Sequence, residues 1–197
     1  MLSSRYFPSF IAKSEVKSIP FIGKISKALN CLFVNRSDQY SRSLVADSIA
    51  ARMSDPTSSS LCLFPQGCTS DSRYITSFQL GAFRPGLPVL PVVFDYQYKR
   101  ANCSWDTRHF LLLYYRTSCQ IVNRVVVYYL PVYHPSEEEV LDPVLFADNV
   151  RKLMAKVSGL KLSSSGYRAK RLYEEVIAEK ITLEEANLIL EKSLSKV

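Results

Sequence analysis

The sequence predicts an α/β fold: a mixed, mostly parallel sheet flanked by helices, with a C-terminal helical hairpin. Three observations predict it. Two short apolar runs, Leu61–Phe64 and Val89–Phe94, are bounded by proline, glycine and small polar residues, as strands buried in a sheet are. Strand-like and helix-like patterns alternate along most of the chain, the order that builds parallel pairing. The C-terminal stretch holds two amphipathic patterns, Tyr167–Lys180 and Leu183–Leu194, and Thr182 with Glu185 forms a capping-box signature for the second.

Taken in order, Phe10, Ile11 and Ala12 are strand-like. Lys17–Leu29 reads as a helix with Pro20 in its first turn. Phe21, Ile22, Ile25, Ala28 and Leu29 share one face, with Lys24 and Lys27 off it. Two readings of that face are open: it packs on the core, or it meets lipid headgroups inside a basic collar completed by Lys13 and Lys17. Asn30–Arg36 is a strand with a polar end, and Ser43–Met53 is a helix with Leu44, Val45, Ile49, Ala50 and Met53 on one side. Ser54–Ser60 is a polar connection. Pro65 ends the Leu61–Phe64 strand because proline has no N–H for a ladder. Gly67 then permits a sharp turn that exposes backbone N–H groups, and Cys68, Thr69, Ser70 and Asp71 follow as small polar residues. Ligands of open α/β sheets sit beyond such strand ends, which makes this the candidate binding loop.

Arg84-Pro85-Gly86 is a turn leading to the Val89–Phe94 strand, which is entered through Pro88 and Pro91. His109–Gln120 reads as an apolar helix. Its Leu111, Leu112, Leu113, Tyr114 and Tyr115 point in too many directions for a simple surface helix, so it is either a core helix or one that partly enters a membrane interface. Val122–Tyr129 is a strand rich in valine and tyrosine. Asp142 and Pro143 are cap and first residue of a helix running to about Val157.

The 197 residues, 47% hydrophobic and 22% charged, suffice for one globular domain with a sizeable core. A net charge of +7 attracts phosphate of any origin. No nucleic-acid-binding motif accompanies it, so no nucleic-acid partner is expected. The five cysteines, Cys31, Cys62, Cys68, Cys103 and Cys119, are odd in number and lack C-x-x-C spacing. They read as reduced thiols, with no metal site, and Cys68 as a small loop residue rather than a nucleophile. No secretory signal begins at Met1, and no transmembrane span is expected. The most apolar stretch, Phe110–Tyr133, is interrupted by Arg116, Arg124 and Pro131, whereas a span needs roughly 20 mainly apolar residues.

Phe64-Pro65-Gln66-Gly67-Cys68, then Phe78-Gln79-Leu80-Gly81-Ala82-Phe83, then the proline–valine strand ending at Phe94 resemble the third and fourth motifs of the glycerolipid acyltransferases. Those motifs read Phe-Pro-Glu-Gly-Thr and Phe-Lys-x-Gly-Ala-Phe. Asn30–Arg36 resembles the second motif, Gly-x-x-Phe-x-Asp-Arg. Leu130–Tyr133, Pro135–Glu139 and Asn149–Met154 extend the likeness, which covers roughly residues 7 to 160. Within the superfamily it looks most like the lysophosphatidylcholine and lysophosphatidylethanolamine acyltransferases, and Trp105-Asp106-Thr107 is similar to a segment of the plant-type ethanolamine enzymes. The domain expectation is a partial acyltransferase domain at 1–160 and the hairpin at 161–197.

The resemblance implies acyl transfer from acyl-CoA, as co-substrate and without a cofactor, to a lysophospholipid. The setting it implies is a cytosol-facing membrane surface, that of the endoplasmic reticulum. It assigns binding of the acceptor phosphate to Arg36, whose guanidinium fits phosphate bidentately, and to Gln66, Gly67, Cys68, Thr69 and Ser70. These residues are expected to converge on one groove. Three positions depart from the pattern: Gln66 for glutamate, Cys68 for threonine, and Gln79 for a phosphate-binding lysine.

The family's general base is the histidine of His-x-x-x-x-Asp, which normally precedes the region matching Phe7. The sequence contains no such pair. His109 lacks an aspartate at the needed spacing, and His134, though followed by Glu139, falls in a stretch matching the family's non-catalytic Pro-Ser-x-Glu-Glu loop. No catalytic residue is assigned. Two readings stay open: a truncated or impaired acyltransferase, or a non-catalytic relative that binds lipid or acyl-CoA.

Overall fold

The computed structural model describes residues 8–34, 47–53, 55, 60–98, 102, 110–164 and 166–194. The strands are β1 (Ser9–Lys13), β2 (Leu32–Val34), β3 (Leu61–Cys62), β4 (Tyr74–Ile75), β5 (Val92–Gln97), β6 (Arg124–Tyr129) and β7 (Lys161–Leu162). The helices are α1 (Ile22–Ala28), α2 (47–53), α3 (Phe110–Ser118), α4 (Glu137–Leu141), α5 (Pro143–Ser158), α6 (Tyr167–Ile177) and α7 (Leu183–Leu194). The fold is α/β, and three of the four strand pairings among the described residues are parallel. The chain forms two compact units that alternate along the sequence. One comprises Met1–Pro65, Leu80–Leu87 and Pro135–Val144; the other comprises Gln66–Gln79, Pro88–His134 and Leu145–Val197.

In the first unit β1 is central, parallel to β2 through Ile11–Leu32 and to β3 through Phe10–Cys62. Ser9 is wholly buried because its hydroxyl donates to the Leu29 carbonyl at 2.8 Å, tying the start of β1 to the end of α1. A buried hydroxyl without such a partner would be costly. Val34, Ile49 and Phe83 are the buried apolar side chains among the described residues of this unit. Half-burial of Cys62 in β3 pushes its thiol pKa up, which keeps it protonated and inert at neutral pH. The four described cysteines form no disulfide with one another.

In the second unit β5 and β6 pair antiparallel from Val92–Tyr129 to Gln97–Arg124, and β4 pairs in parallel with β7. Buried Phe146 of α5 stacks on Tyr133 at 5.7 Å. Val150, Ala155, Leu172 and Ala186 are also buried, so α5 and the α6–α7 hairpin each turn an apolar stripe inward. The hairpin is present as expected. Thr182 caps α7 through Glu185, with the Thr182 N–H donating to Oε2 at 2.8 Å and the Glu185 N–H to Oγ1 at 3.2 Å. Asp142 caps α5 by accepting from the Val144 N–H at 2.9 Å.

Several elements differ from expectation for physical reasons. The Val89–Phe94 strand is not buried on both faces. Pro91 interrupts it, Val89 exchanges hydrogen bonds with Tyr133, and the regular ladder begins at Val92 with Phe94 and Tyr96 exposed. The Leu61 strand stops at Cys62, and Phe64 lies exposed, stacked on Phe10 at 6.4 Å. The Lys17–Leu29 helix divides into a 3₁₀ turn at Ser14–Ser18 and α1. The apolar face of α1 does not pack on the core: Phe21 is 78%, Ile22 51% and Ile25 59% exposed, while Gly23 and Ser26 are buried. α3 is not a core helix either, since Leu111, Leu112, Tyr114 and Tyr115 are all exposed.

Residues 43–46, the linker positions 54 and 56–59, Cys103, Trp105–Thr107, His109, Arg36 and the Lys13 side chain lie outside the described residues.

Candidate functional site

After β3 the chain turns at Pro65–Gln66, and Gly67 takes φ +70°. This left-handed conformation suits glycine and strains other residues. A Cβ at this position would also meet the Gln79 Cγ at 3.1 Å, so the stem of Gln79 lies against the loop. The Gln66 side chain is drawn inward: its Nε2 donates to Thr76 Oγ1 at 3.0 Å and to Ser70 Oγ at 3.2 Å. Both amide N–H donors are thereby used, one closing the turn onto Ser70 and the other tying it to Thr76. Thr76 follows directly on β4, so the β4–β7 pair anchors this brace.

Thr69 is the exposed member of the loop, and Lys170 of α6 reaches it from 101 residues away. The ammonium donates to the Thr69 carbonyl and, at 3.0 Å, to its hydroxyl. Its side chain is only 16% exposed, and Glu174 stands 3.7 Å from Nζ. Beyond Ser70, Asp71 receives Arg73 through Nε at 2.9 Å and through the Arg73 backbone N–H at 3.1 Å. The guanidinium holds the Asp71 carboxyl below its ordinary range. The loop therefore gathers a hydroxyl-rich turn, a backbone in the geometry that makes anion-receiving concavities, and a nearby ammonium.

The structure places Gln66, Gly67, Cys68, Thr69 and Ser70 together in one turn. Arg36, expected beside them, lies outside the described residues. Thr76 and Lys170 were missed by sequence reasoning. Thr76 carried no signal, and Lys170 is indistinguishable in sequence from the other lysines of an amphipathic helix. Glu139, which follows His134 at the catalytic interval, is buried and accepts from the Ser136 N–H at 2.8 Å, while Ser136 accepts from the Glu139 N–H at 3.3 Å. This reciprocal cap of α4 explains a serine and a glutamate at that spacing without catalysis. His134 is exposed. Among the described residues no group of three or more histidine, cysteine, aspartate or glutamate side chains is placed to hold a metal.

The acyltransferase family profile matches residues 2–95, a span that includes the loop and the strand after it. Lysophospholipid acyltransferase LPEAT1 of Arabidopsis thaliana is 42% identical over 183 residues, covering 88% of this chain and 45% of the relative. Lysophosphatidylcholine acyltransferase 1 of Danio rerio is 41% identical over 158 residues, covering 78% of this chain and 30% of the relative. Residues 2–95 thus match the acyltransferase family, and most of the chain is similar to lysophospholipid acyltransferases. The chain spans less than half the length of these acyltransferase relatives. Among solved structures, the 1-acyl-sn-glycerophosphate acyltransferase PlsC of Thermotoga maritima has a TM-score of 0.45 at 19% identity, covering 80% of this chain and 59% of that one. The profile that marks the acyltransferase family ends well before Lys170, so the residue against Thr69 lies outside the matched span. No helix among the described residues is long and apolar enough to cross a membrane.

Proposed function

We propose that this chain provides the phospholipid-handling part of an acyl-CoA-dependent lysophospholipid acyltransferase working at a cytosol-facing membrane surface of the endoplasmic reticulum. In this reading residues 1–160 are acyltransferase domain and residues 161–197 an appended hairpin. The Gln66–Ser70 loop, with Arg36, receives the phosphate of the acceptor lipid. The observation that carries the proposal is the braced turn itself. A left-handed glycine, two hydroxyls bridged by Gln66 and a lysine ammonium give an anion several donors in one place. The relatives named for lysophospholipid acylation support a lysophospholipid phosphate as that anion.

In the reaction, the acceptor hydroxyl oxygen attacks the thioester carbonyl of acyl-CoA. The carbonyl oxygen becomes an oxyanion, the C–S bond breaks, and the hydroxyl proton ends on the CoA sulfur. Donors that meet the oxyanion and a base that takes the proton are the two requirements. The loop bears on orientation of the acceptor. Residues 1–197 contain no His-x-x-x-x-Asp base pair, and the Glu139 carboxylate is held in a helix cap. Membrane contact is supported by the exposed Phe21, Ile22 and Ile25 beside Lys24 and Lys27.

The test is acyl-CoA consumption by purified residues 1–197 in detergent with lysophosphatidylethanolamine or lysophosphatidylcholine, alongside binding of the same lipids. Binding is expected, with turnover lower by roughly 100- to 10,000-fold than that of a relative carrying the histidine base. Full turnover would show an unforeseen base, and absence of lipid binding would end the acyltransferase reading. Binding with no turnover under any condition favours the second reading, a lipid- or acyl-CoA-binding relative, which the departures from the family pattern at Gln66, Cys68 and Gln79 support.

A further inference from the structure

We propose that Lys170 of the C-terminal hairpin is a phosphate-binding residue of the Gln66–Ser70 loop, so that the hairpin forms part of the site. The inference rests on the reading of that loop as a phosphate site and adds a residue and an element to it.

Its first support is the cost of placing the ammonium there. A lysine on a solvated helix face normally extends into water, but this side chain is 16% exposed. Removing an ammonium from water is unfavourable unless polar partners replace the lost hydration. The Thr69 carbonyl and hydroxyl do so, and both belong to the one exposed residue of the loop. The charge is thus held at the spot where the loop is open to an incoming anion. Glu174, one turn along α6 at 3.7 Å, is the carboxylate that an arriving phosphate would displace as counter-charge.

The second support is independent of Lys170. Position 79 also lies against the loop, with the Gln79 stem facing Gly67. Gln79 is neutral, whereas the superfamily pattern carries a lysine there. Gly67 and Thr69 are two residues apart, so positions 79 and 170 approach the same short turn. A cation absent from one approach is present on the other.

The phosphate could be that of a lysophospholipid headgroup or of coenzyme A, and the two arms of the experiment separate these sources. Binding of lysophosphatidylethanolamine micelles and of free coenzyme A is measured for the full chain, for Lys170→Met, for Lys170→Arg and for Lys170→Met combined with Gln79→Lys. Lys170→Met removes the charge and keeps the stem. It is expected to weaken one ligand by about tenfold or more, the size of a lost charge-assisted hydrogen bond. Lys170→Arg should stay close to the parent, and Gln79→Lys should recover much of the loss. Thermal melting of each variant is recorded with it.

Unchanged affinity in a folded Lys170→Met variant overturns the proposal while leaving the loop as a phosphate site. The proposal is equally overturned if Lys170→Met lowers melting and affinity together and Gln79→Lys restores neither, because Lys170 is then a brace between α6 and the loop. If the unmodified chain binds neither ligand, the loop reading fails and the role of Lys170 falls with it.

Discussion

Gly67 is the residue on which the geometry of the loop depends. Its φ of +70° lies where a side chain costs about 1–2 kcal/mol. The 3.1 Å approach of an added Cβ to the flexible Gln79 side chain adds little more. Gly67→Ala is therefore expected to lower unfolding free energy by about that amount in denaturant titration and to weaken lipid binding. Gly81 offers a control, because nothing lies within 4 Å of a Cβ built there. Gln66 makes a second residue-scale case. Its amide donates to two hydroxyls, and a glutamate would simply accept from the same hydroxyls after they rotate. Gln66→Glu should therefore fold with melting close to that of the parent. A large drop in melting would show that the amide, and not the brace, is required. The identities at 66, 67 and 69 were legible as a loop from proline, glycine and small polar residues alone. Their partners Thr76 and Lys170 were not, because side-chain hydrogen bonds across 10 and 101 positions leave no local pattern.

At the scale of elements, α1 packs by its smallest residues. A Cβ on Gly23 would lie 2.3 Å from the Lys17 carbonyl oxygen and 3.1 Å from that of Val16. Because these atoms are backbone, they cannot step aside. Gly23→Ala should cost at least the roughly 1–3 kcal/mol of an overpacked core, visible as a lower melting temperature. Helical periodicity found the apolar face of α1 correctly but could not say which face is buried. The close approach of the 3₁₀ turn to Gly23 decides that, and it leaves Phe21, Ile22 and Ile25 outward. Phe21→Ser with Ile25→Ser should lower binding to anionic phospholipid vesicles by about tenfold or more, since burying each such side chain contributes roughly 1.5–3 kcal/mol. Melting should be unaffected, and vesicle binding that persists would assign membrane contact elsewhere.

α5 carries a pH-dependent contact. Lys152, then Arg151, lowers the Asp148 carboxyl below its ordinary 3.8, and Arg151 also donates to the Ser163 carbonyl just past β7 at 2.9 Å. A carboxylate whose folded pKa is depressed contributes stability above its unfolded pKa and loses it as pH falls through the folded value. Asp148→Asn should thus be less stable than the parent at neutral pH. The two should converge under acid conditions below the ordinary carboxylate range. A difference that persists there would mean packing, not charge, explains it.

Over the whole molecule, the α/β class, the hairpin and both helix caps at Asp142 and Thr182 followed from spacing and turn chemistry, which act within a few residues. The pairing of β5 with β6 rather than with a parallel neighbour did not follow. Val92–Gln97 would read the same in either arrangement, and its partner β6 lies far along the chain, beyond α3, where no local pattern announces the pairing. The same limit applies to the division into units, which depends on contacts between segments far apart in sequence. The expectation of a single core of ordinary size is replaced by two sets of buried residues, each assembled from three stretches of chain.

That alternation has a consequence for how the protein is made. The three parallel strands β1, β2 and β3 are all present once residue 62 has been synthesised, and they can pair early. The first unit nevertheless lacks Leu80–Leu87 and Pro135–Val144 until residue 144 has left the ribosome, by which point most of the second unit's strands are also available. Neither unit can finish before the other has begun. A nascent chain arrested shortly after residue 65 should therefore remain open to protease, and resistance should arrive only once the segment ending at Val144 has emerged.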